Sequence, residues 1–422
     1  MQTIVVRGGA PLQGEIRVAG AKNAALPLVG AALLAAGTSC LHGVPSVGDL
    51  AAMRRALTEL GVETTPRRGD GLMVDASRVT GVELSEGAVR ALRACWLLLG
   101  PLVARFGRAV LPLPGGSAIG ARPVDQHLKG LAALGARVSL SHGLVTVEAA
   151  RLRGGAVIFD VPSVTATENV LMAAALSSGH STMENAAREP EVEELARVLN
   201  KMGARIHGAG TATIDVDGVD ELRPFEHTVM ADRIEAGTLL AAAALTRGDV
   251  LVQGADPEHL TVFLDQLRAA GVKLAVEAGG VRVRGWAGDT LAPLDVATQP
   301  YPGLPTDLQP ALLPLMTQAR GLSALHETLF ENRFLYVPEL QRMGADIRLD
   351  GRRALVRGVA RLEGAPVRGR DLRGTSALVL AALVADGTTT IAGVDHLDRG
   401  YHRLDRKLKA LGADVQRAKG NP

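Results

Sequence analysis

Glu168-Asn169-Val170-Leu171-Met172-Ala173-Ala174-Ala175-Leu176 is helical in propensity and apolar on nearly every face, and Gly179 stands just beyond it. A helix without a polar stripe has to be buried on all sides, and glycine after its last turn is the usual terminator. Residues 180–185 then read as a short strand. In Val192-Glu193-Glu194-Leu195-Ala196-Arg197-Val198-Leu199 the apolar residues fall at helical spacing with charges between them, which predicts a half-exposed helix. Gly203 closes that helix, and Ala204-Arg205-Ile206-His207 opens another strand.

The same unit recurs along the whole chain. Glycines like Gly179 stand at Gly37, Gly107, Gly248, Gly321 and Gly387, so the six are spaced by 70, 72, 69, 73 and 66 residues. Glycines like Gly203 stand at Gly61, Gly135, Gly271, Gly344 and Gly412, spaced by 74, 68, 68, 73 and 68 residues. Two markers with one period establish a sixfold internal repeat, and a repeat decides architecture. Further wholly buried helices are predicted at 24–36, 92–103, 237–245, 308–316 and 376–385. Six units divide most simply into two groups of three. Each group can gather its buried helices inside and its sheets outside. The expected class is therefore α/β, with two inside-out α/β barrel domains of three units each, the reverse of a barrel with its strands inside.

Composition narrows the function. Hydrophobic residues make up 47% of the chain but aromatics only 3%, so the core is built of Ala, Leu and Val and no base-stacking platform is expected. Basic and acidic residues balance at 46 and 44, which gives no general field for nucleic acid. Two cysteines exclude a disulfide framework, and no histidine pattern suggests a metal. The N-terminus lacks a signal-peptide pattern, and the apolar run at 24–36 is too short to span a bilayer. A cytoplasmic, monomeric protein of small-molecule substrates is expected, with neither membrane nor nucleic acid as partner. Gly208-Ala209-Gly210 lacks the third glycine of a dinucleotide site, and no Walker sequence is present.

Polar residues collect at the starts of the buried helices: Lys22-Asn23, Arg93, Ser163-Val164-Thr165, Asp232-Arg233, Thr306-Asp307 and Arg373. Helix N-termini hold anions through unpaired N–H groups. Ser163, Thr306 and Asp232 are as readily explained as caps. A cation there opposes the dipole and needs an anionic partner, which makes Lys22, Arg93 and Arg373 the better candidates for ligand binding. The glycine-rich stretch 113–123, ending in Arg122-Pro123, reads either as a lid or as a surface turn. A Ser117 nucleophile would need a base, for which His127 is near only in sequence.

These residues carry a resemblance to a known family. Gly20-Ala21-Lys22-Asn23-Ala24-Ala25-Leu26-Pro27, the run 99–107, the loop 114–123, Glu184-Asn185-Ala186-Ala187-Arg188-Glu189-Pro190-Glu191, Pro305-Thr306-Asp307, Phe330-Glu331-Asn332-Arg333-Phe334 and Asp398-Arg399-Gly400-Tyr401 resemble the UDP-N-acetylglucosamine enolpyruvyl transferases over the full length. The resemblance implies two inside-out domains, 22–230 and 1–21 with 231–422. It implies transfer of the enolpyruvyl group of phosphoenolpyruvate to the 3-hydroxyl of UDP-N-acetylglucosamine, in peptidoglycan precursor synthesis, by addition and elimination without a cofactor. By matching position, Lys22, Arg122 and Arg399 are expected on the phosphate, and Arg93 and Arg373 on nearby anionic groups. Asn23 is expected on the sugar and Asp307 as general base. Arg122, Pro123, Val124, Asp125, Ser163, Val164 and Leu329 are expected along the nucleotide, with Arg333 also among the substrate-binding residues.

Ser117 departs from the resemblance. Most of the family has cysteine there, proposed to protonate the methylene carbon, and a serine hydroxyl is a far weaker acid than a thiol with pKa about 8.5. Gln126 replaces a common leucine and Thr165 a common glycine. Two alternatives stay open: a 5-enolpyruvylshikimate-3-phosphate synthase-like transferase, and a nucleotide-sugar binding protein impaired in catalysis by Ser117.

Overall fold

The computed structural model describes residues 2–115, 118–121 and 123–419. They form two units, a first of residues 20–115 and 123–230 and a second of 2–19, 118–121 and 231–419. The chain changes unit between Ala19 and Gly20, two residues before the expected boundary. Hydrogen bonding explains the difference: the Ala19 N–H donates to Glu235 Oε2 at 2.9 Å, whereas the Ala21 N–H donates to Met230 O at 2.7 Å.

Each unit holds three buried helices. In the first these are Lys22–Ala31, Leu99–Phe106 (entered through the 3-10 turn Arg93–Leu98) and Val164–Ala174. In the second they are Arg233–Leu245, Gln309–Met316 and Leu372–Ala382. Every residue of Arg233–Leu245 is buried, as a helix without a polar face requires. Small residues permit the close packing: a Cβ on Gly100 would lie 2.2 Å from the Asn169 carbonyl oxygen, and one on Gly237 would lie 2.6 Å from Leu308. Truncating a fully buried leucine here, such as Leu240, would cost about 2–5 kcal/mol.

The sheets repeat one topology. In the first unit Glu226–Thr228 lies parallel to Thr38–His42, which pairs antiparallel with Gly71–Asp75, itself antiparallel to Glu63–Arg67. The order recurs with Ala156–Ile158, His180–Glu184, Thr213–Asp217 and Arg205–His207. In Arg108–Pro112 the parallel neighbour shrinks to one bridge, Glu83 to Val110. The second unit has three more four-stranded sheets of this kind. In its last sheet Gln2–Arg7 pairs with both Thr388–Ala392 and Asp414–Lys419, taking the place that Gly71–Asp75 holds in the first. The N-terminal strand thus completes the sixth repeat.

Among the described residues no strand is shared between sheets, so neither unit is a closed barrel. The expected inside-out arrangement takes the form of separate sheets packed on a helical core, because each repeat ends its own sheet. All six glycines of the second marker have φ between +81° and +114°, the left-handed turn after the amphipathic helix. Gly248 is the one glycine of the first marker without positive φ. It is needed instead for space, since a Cβ there would meet the Leu12 carbonyl oxygen at 2.3 Å. Among the described residues no helix is long and apolar enough to cross a membrane.

Candidate active site

The three buried helices of the first unit begin without a side-chain cap. Ala21, Leu92 and Ser163 occupy the cap positions, and none accepts a hydrogen bond from the following turn. Ser163 has the right chemistry for a cap but does not act as one. No side chain at the cap position shields these helix starts, and the positive end of each dipole lies behind them. In the second unit, by contrast, Asp232 caps Ile234 and Glu235, and Asp371 caps Arg373 and Gly374.

Lys22 is the first residue of its helix and is buried. Its Nζ donates to Asp49 Oδ2 at 3.2 Å, and Asp49 lies in the first turn of Gly48–Glu59. The carboxylate offsets a cation that the dipole of Lys22's own helix disfavours. Asn23 follows, half-buried, and its side chain has no hydrogen-bond partner among the described residues. Pro27 has no N–H to give the Asn23 carbonyl, so the helix ladder leaves that acceptor unused as well.

Arg93, half-buried, donates from Nη2 to the Pro123 carbonyl at 3.2 Å and so tethers the segment of Pro123, Val124 and Asp125. Gln126 fixes that segment from its other end. Its Nε2 donates to Asp125 Oδ2 and Asp160 Oδ2 at 2.8 and 3.0 Å, and its Oε1 accepts from the Asp160 N–H at 2.8 Å. Lys129 first, then Gln126, hold the Asp160 carboxyl below its ordinary range. The loop leading to Ser163 and Val164 is thereby tied to the start of the Asp125–Ala133 helix.

Beneath it runs a buried polar chain. Asn169 Oδ1 accepts from the Gly100 N–H at 2.5 Å, which fixes the orientation of its amide, and its Nδ2 donates to Trp96 O and to His127 Nδ1. His127 must then carry its proton on Nε2, 3.1 Å from Thr165 Oγ1. Both ring nitrogens of His127 are thus engaged in this chain. Ser117 and Arg122 themselves lie outside the described residues.

In the second unit three candidates meet. Asp307 Oδ1 accepts from Arg333 Nη2 at 2.6 Å, and Oδ2 accepts from Arg373 Nε at 3.0 Å. Both guanidinium groups are buried, whereas Asp307 keeps 29% of its side chain exposed. Burial opposes the Arg373 charge, but Asp307, then Tyr401 and Asp232, outweigh it and raise its pKa. Arg373 also lies 4.9 Å over the Tyr401 ring. Arg373 Nη1 and Arg333 Nε are buried donors without a hydrogen bond among the described residues. Orphaned donors of this kind ask for an acceptor.

Glu327 builds the neighbouring turn. It accepts from Thr306 Oγ1 at 2.9 Å and from the N–H groups of Leu329 and Phe330 at 2.8 and 3.1 Å. Thr306 is therefore a brace and not a helix cap. Arg399 is exposed at the end of Val394–Asp398. The neighbouring Asp398 gives both oxygens to Arg417, at 2.7 and 2.6 Å. Residues 118–121 are anchored in this unit: the Ala121 N–H donates to Glu331 Oε1 at 2.6 Å, and the Asn332 N–H donates to the Ile119 carbonyl. The Ala121 N–H is also the main cause that lowers the Glu331 pKa.

Asp49, Asp160, Glu327, Glu331 and Asp371 were not singled out in the sequence. Asp49, in the first turn of a helix, and Asp371, at the cap position of another, carry a local signal. The rest are recognised only by what they touch.

The family model described as EPSP synthase (3-phosphoshikimate 1-carboxyvinyltransferase) matches residues 6–408. A relative from Myxococcus xanthus, named UDP-N-acetylglucosamine 1-carboxyvinyltransferase, is 52% identical over 425 residues, covering 99% of this chain and all of its own. One of the same name from Sorangium cellulosum is 52% identical over 423 residues, covering 100% and 99%. Among solved structures, the enolpyruvyl transferase NikO from Streptomyces tendae is similar at a TM-score of 0.88, with 26% identity, covering 100% of this chain and 99% of its own. EPSP synthase from Acinetobacter baumannii, at a TM-score of 0.75 and 18% identity over 99% of this chain and all of its own, shares the fold.

Proposed function

The chain belongs to the EPSP synthase (3-phosphoshikimate 1-carboxyvinyltransferase) family of enolpyruvyl transferases, and from that premise we propose that it moves the enolpyruvyl group of phosphoenolpyruvate to the 3-hydroxyl of UDP-N-acetylglucosamine and releases phosphate. The observation that carries this reading is the 52% identity, over essentially the whole of both chains, to relatives bearing the name of that activity. A cytoplasmic monomer goes with it, supplying a peptidoglycan precursor.

In the addition step the acceptor oxygen bonds to C2 of phosphoenolpyruvate, C3 gains a proton and the acceptor loses one. In the elimination step C3 returns a proton and the C2–O bond to phosphate breaks. We assign the acceptor proton to Asp307, the one carboxylate among the candidates with partly exposed oxygens held rigidly by two buried cations. Arg333 and Arg373 position that carboxylate, and their spare donors face charge that develops beside it. Lys22, Arg122 and Arg399 take the phosphate, with the uncapped helix starts at Ala21, Leu92 and Ser163 adding N–H groups. Asn23 meets the sugar. Pro123, Val124, Asp125, Ser163, Val164 and Leu329 line the nucleotide, with Arg93 holding the Pro123 carbonyl.

Ser117 favours one second reading, a nucleotide-sugar binding protein that turns over poorly. Phosphate release from phosphoenolpyruvate, assayed with UDP-N-acetylglucosamine and separately with shikimate 3-phosphate, tests the proposal. Release with the nucleotide sugar alone is expected. Release with shikimate 3-phosphate alone would overturn it, and tight nucleotide-sugar binding without release at high enzyme concentration would favour the second reading.

A further inference from the structure

On the outer face of the first unit's sheet, Cys40 and His42 stand two residues apart on Thr38–His42, and Glu226 stands beside Cys40 on the parallel strand Glu226–Thr228. Residues two apart on a strand share a face. The ligand atoms of the three all lie within 4.8 Å of one another, and His42 Nε2 is already 2.8 Å from Glu226 Oε1. We propose that Cys40, His42 and Glu226 form a binding site for a borderline-soft divalent transition metal of the zinc type.

The donor set is thiolate, imidazole and carboxylate, which are zinc ligands, with a fourth position left for water. Bond lengths of about 2.0–2.3 Å in a tetrahedral site separate neighbouring ligand atoms by about 3.5 Å. Rotation of partly exposed side chains reaches that from the present spacing without moving the backbone. Binding replaces the Cys40 S–H bond by a sulfur–metal bond and releases the proton to solvent.

The repeat supplies an internal comparison. The residues three and five places after the marker glycine are Cys40 and His42 in the first repeat. In the others they are Val110 and Pro112, Thr182 and Glu184, Leu251 and Gln253, Ala324 and His326, and Thr390 and Ala392. The fold builds the same sheet without cysteine in every other case, so the donor set is not a requirement of packing. Arg67 bears on the same site. Its Nη1 donates to Cys40 Sγ at 3.0 Å, reaching past Gly71, which offers no side chain in between. A cation already occupies the thiol's acceptor side, and a metal must displace it. The bound metal would clip the three-residue edge strand Glu226–Thr228 to its neighbour.

The test is titration of the reduced full-length protein with cobalt(II), followed by displacement with zinc(II). One equivalent of cobalt is expected to give a thiolate-to-metal charge-transfer band that zinc abolishes. The only other cysteine, Cys95, is buried in the core and cannot contribute it. Cys40→Ser should remove the band. His42→Ala and Glu226→Gln should weaken binding by more than the roughly 10–100-fold lost with an outer-sphere partner. Arg67→Gln should tighten it. Zinc should raise the Tm of the parent and not that of Cys40→Ser. Absence of a charge-transfer band in the parent, or cobalt binding that Cys40→Ser leaves unchanged, would overturn the proposal.

Discussion

Replacing Asp307 separates its chemical role from its electrostatic one. The carboxylate lies between Arg333 and Arg373, whose side chains are only 3% and 2% exposed. Asp307→Ala leaves two buried guanidinium charges without their counter-ion. Removing one partner of a buried pair costs about 3–5 kcal/mol, which for a domain of this size lowers Tm by about 6–20 °C. Asp307→Asn keeps the shape and one acceptor oxygen, so it should fall between Ala and the parent in stability. In turnover the two should be alike. Neither can take the acceptor proton, and losing a general base costs about 100- to 10,000-fold. The assays are thermal melts and steady-state phosphate release with phosphoenolpyruvate and UDP-N-acetylglucosamine. An Asn variant with kcat within about threefold of the parent would refute the base assignment. An Ala variant that melts with the parent would refute the electrostatic account.

Ser117→Cys should raise turnover, because a thiol is the stronger acid, and should make the protein susceptible to alkylation by the epoxide fosfomycin. Mass spectrometry finding an adduct on residue 117 of the parent would contradict this. Glu168 is fully buried with Oε1 unpartnered, and burial, then Glu191 and Glu189, push its pKa well above 4.5. The folded state therefore binds this proton more tightly than the unfolded state, so stability is greatest below the unfolded value and falls as pH rises from about 4.5 toward the folded pKa. Glu168→Gln should remove that fall and gain on the parent between pH 5 and pH 8 in urea unfolding; parallel pH profiles would refute it. Asn169→Ala orphans the Gly100 N–H and His127 Nδ1, while the Trp96 carbonyl keeps the Leu99 N–H, for a loss of about 2–5 kcal/mol in chemical denaturation. A loss under about 1 kcal/mol would mean that the chain from Gly100 to Thr165 is not a structural tie.

The repeat, the buried helices and their approximate limits were legible because each depends on local pattern. Glycine at a left-handed turn and apolar residues all round a helix act over a few residues and recur at one period. The helix starts were legible for the same reason, and with them Lys22, Arg93, Asp307 and Arg373 as polar residues in unusual places. Ser163 and Thr306 stayed open between cap and ligand-binding roles, because a hydroxyl at a helix start has the composition of a cap whether or not its oxygen turns back to the chain. Glu168 lay inside the very stretch that identified the fold, yet its carboxyl told nothing until its surroundings were known.

Sequence alone thus determined that six like units exist, that their apolar helices must be enclosed, and which cations stand at the helix starts. Tertiary structure alone decided that Gln2–Arg7 completes the last sheet, that Asp49 answers Lys22, and that Asp307 lies between two arginines distant in the chain. The physical reason is range. Backbone conformation follows from neighbours a turn or a strand away, whereas strand partners and ion pairs follow from which surfaces pack together, and a strand's alternation or a lone charge carries no record of the partner it will meet.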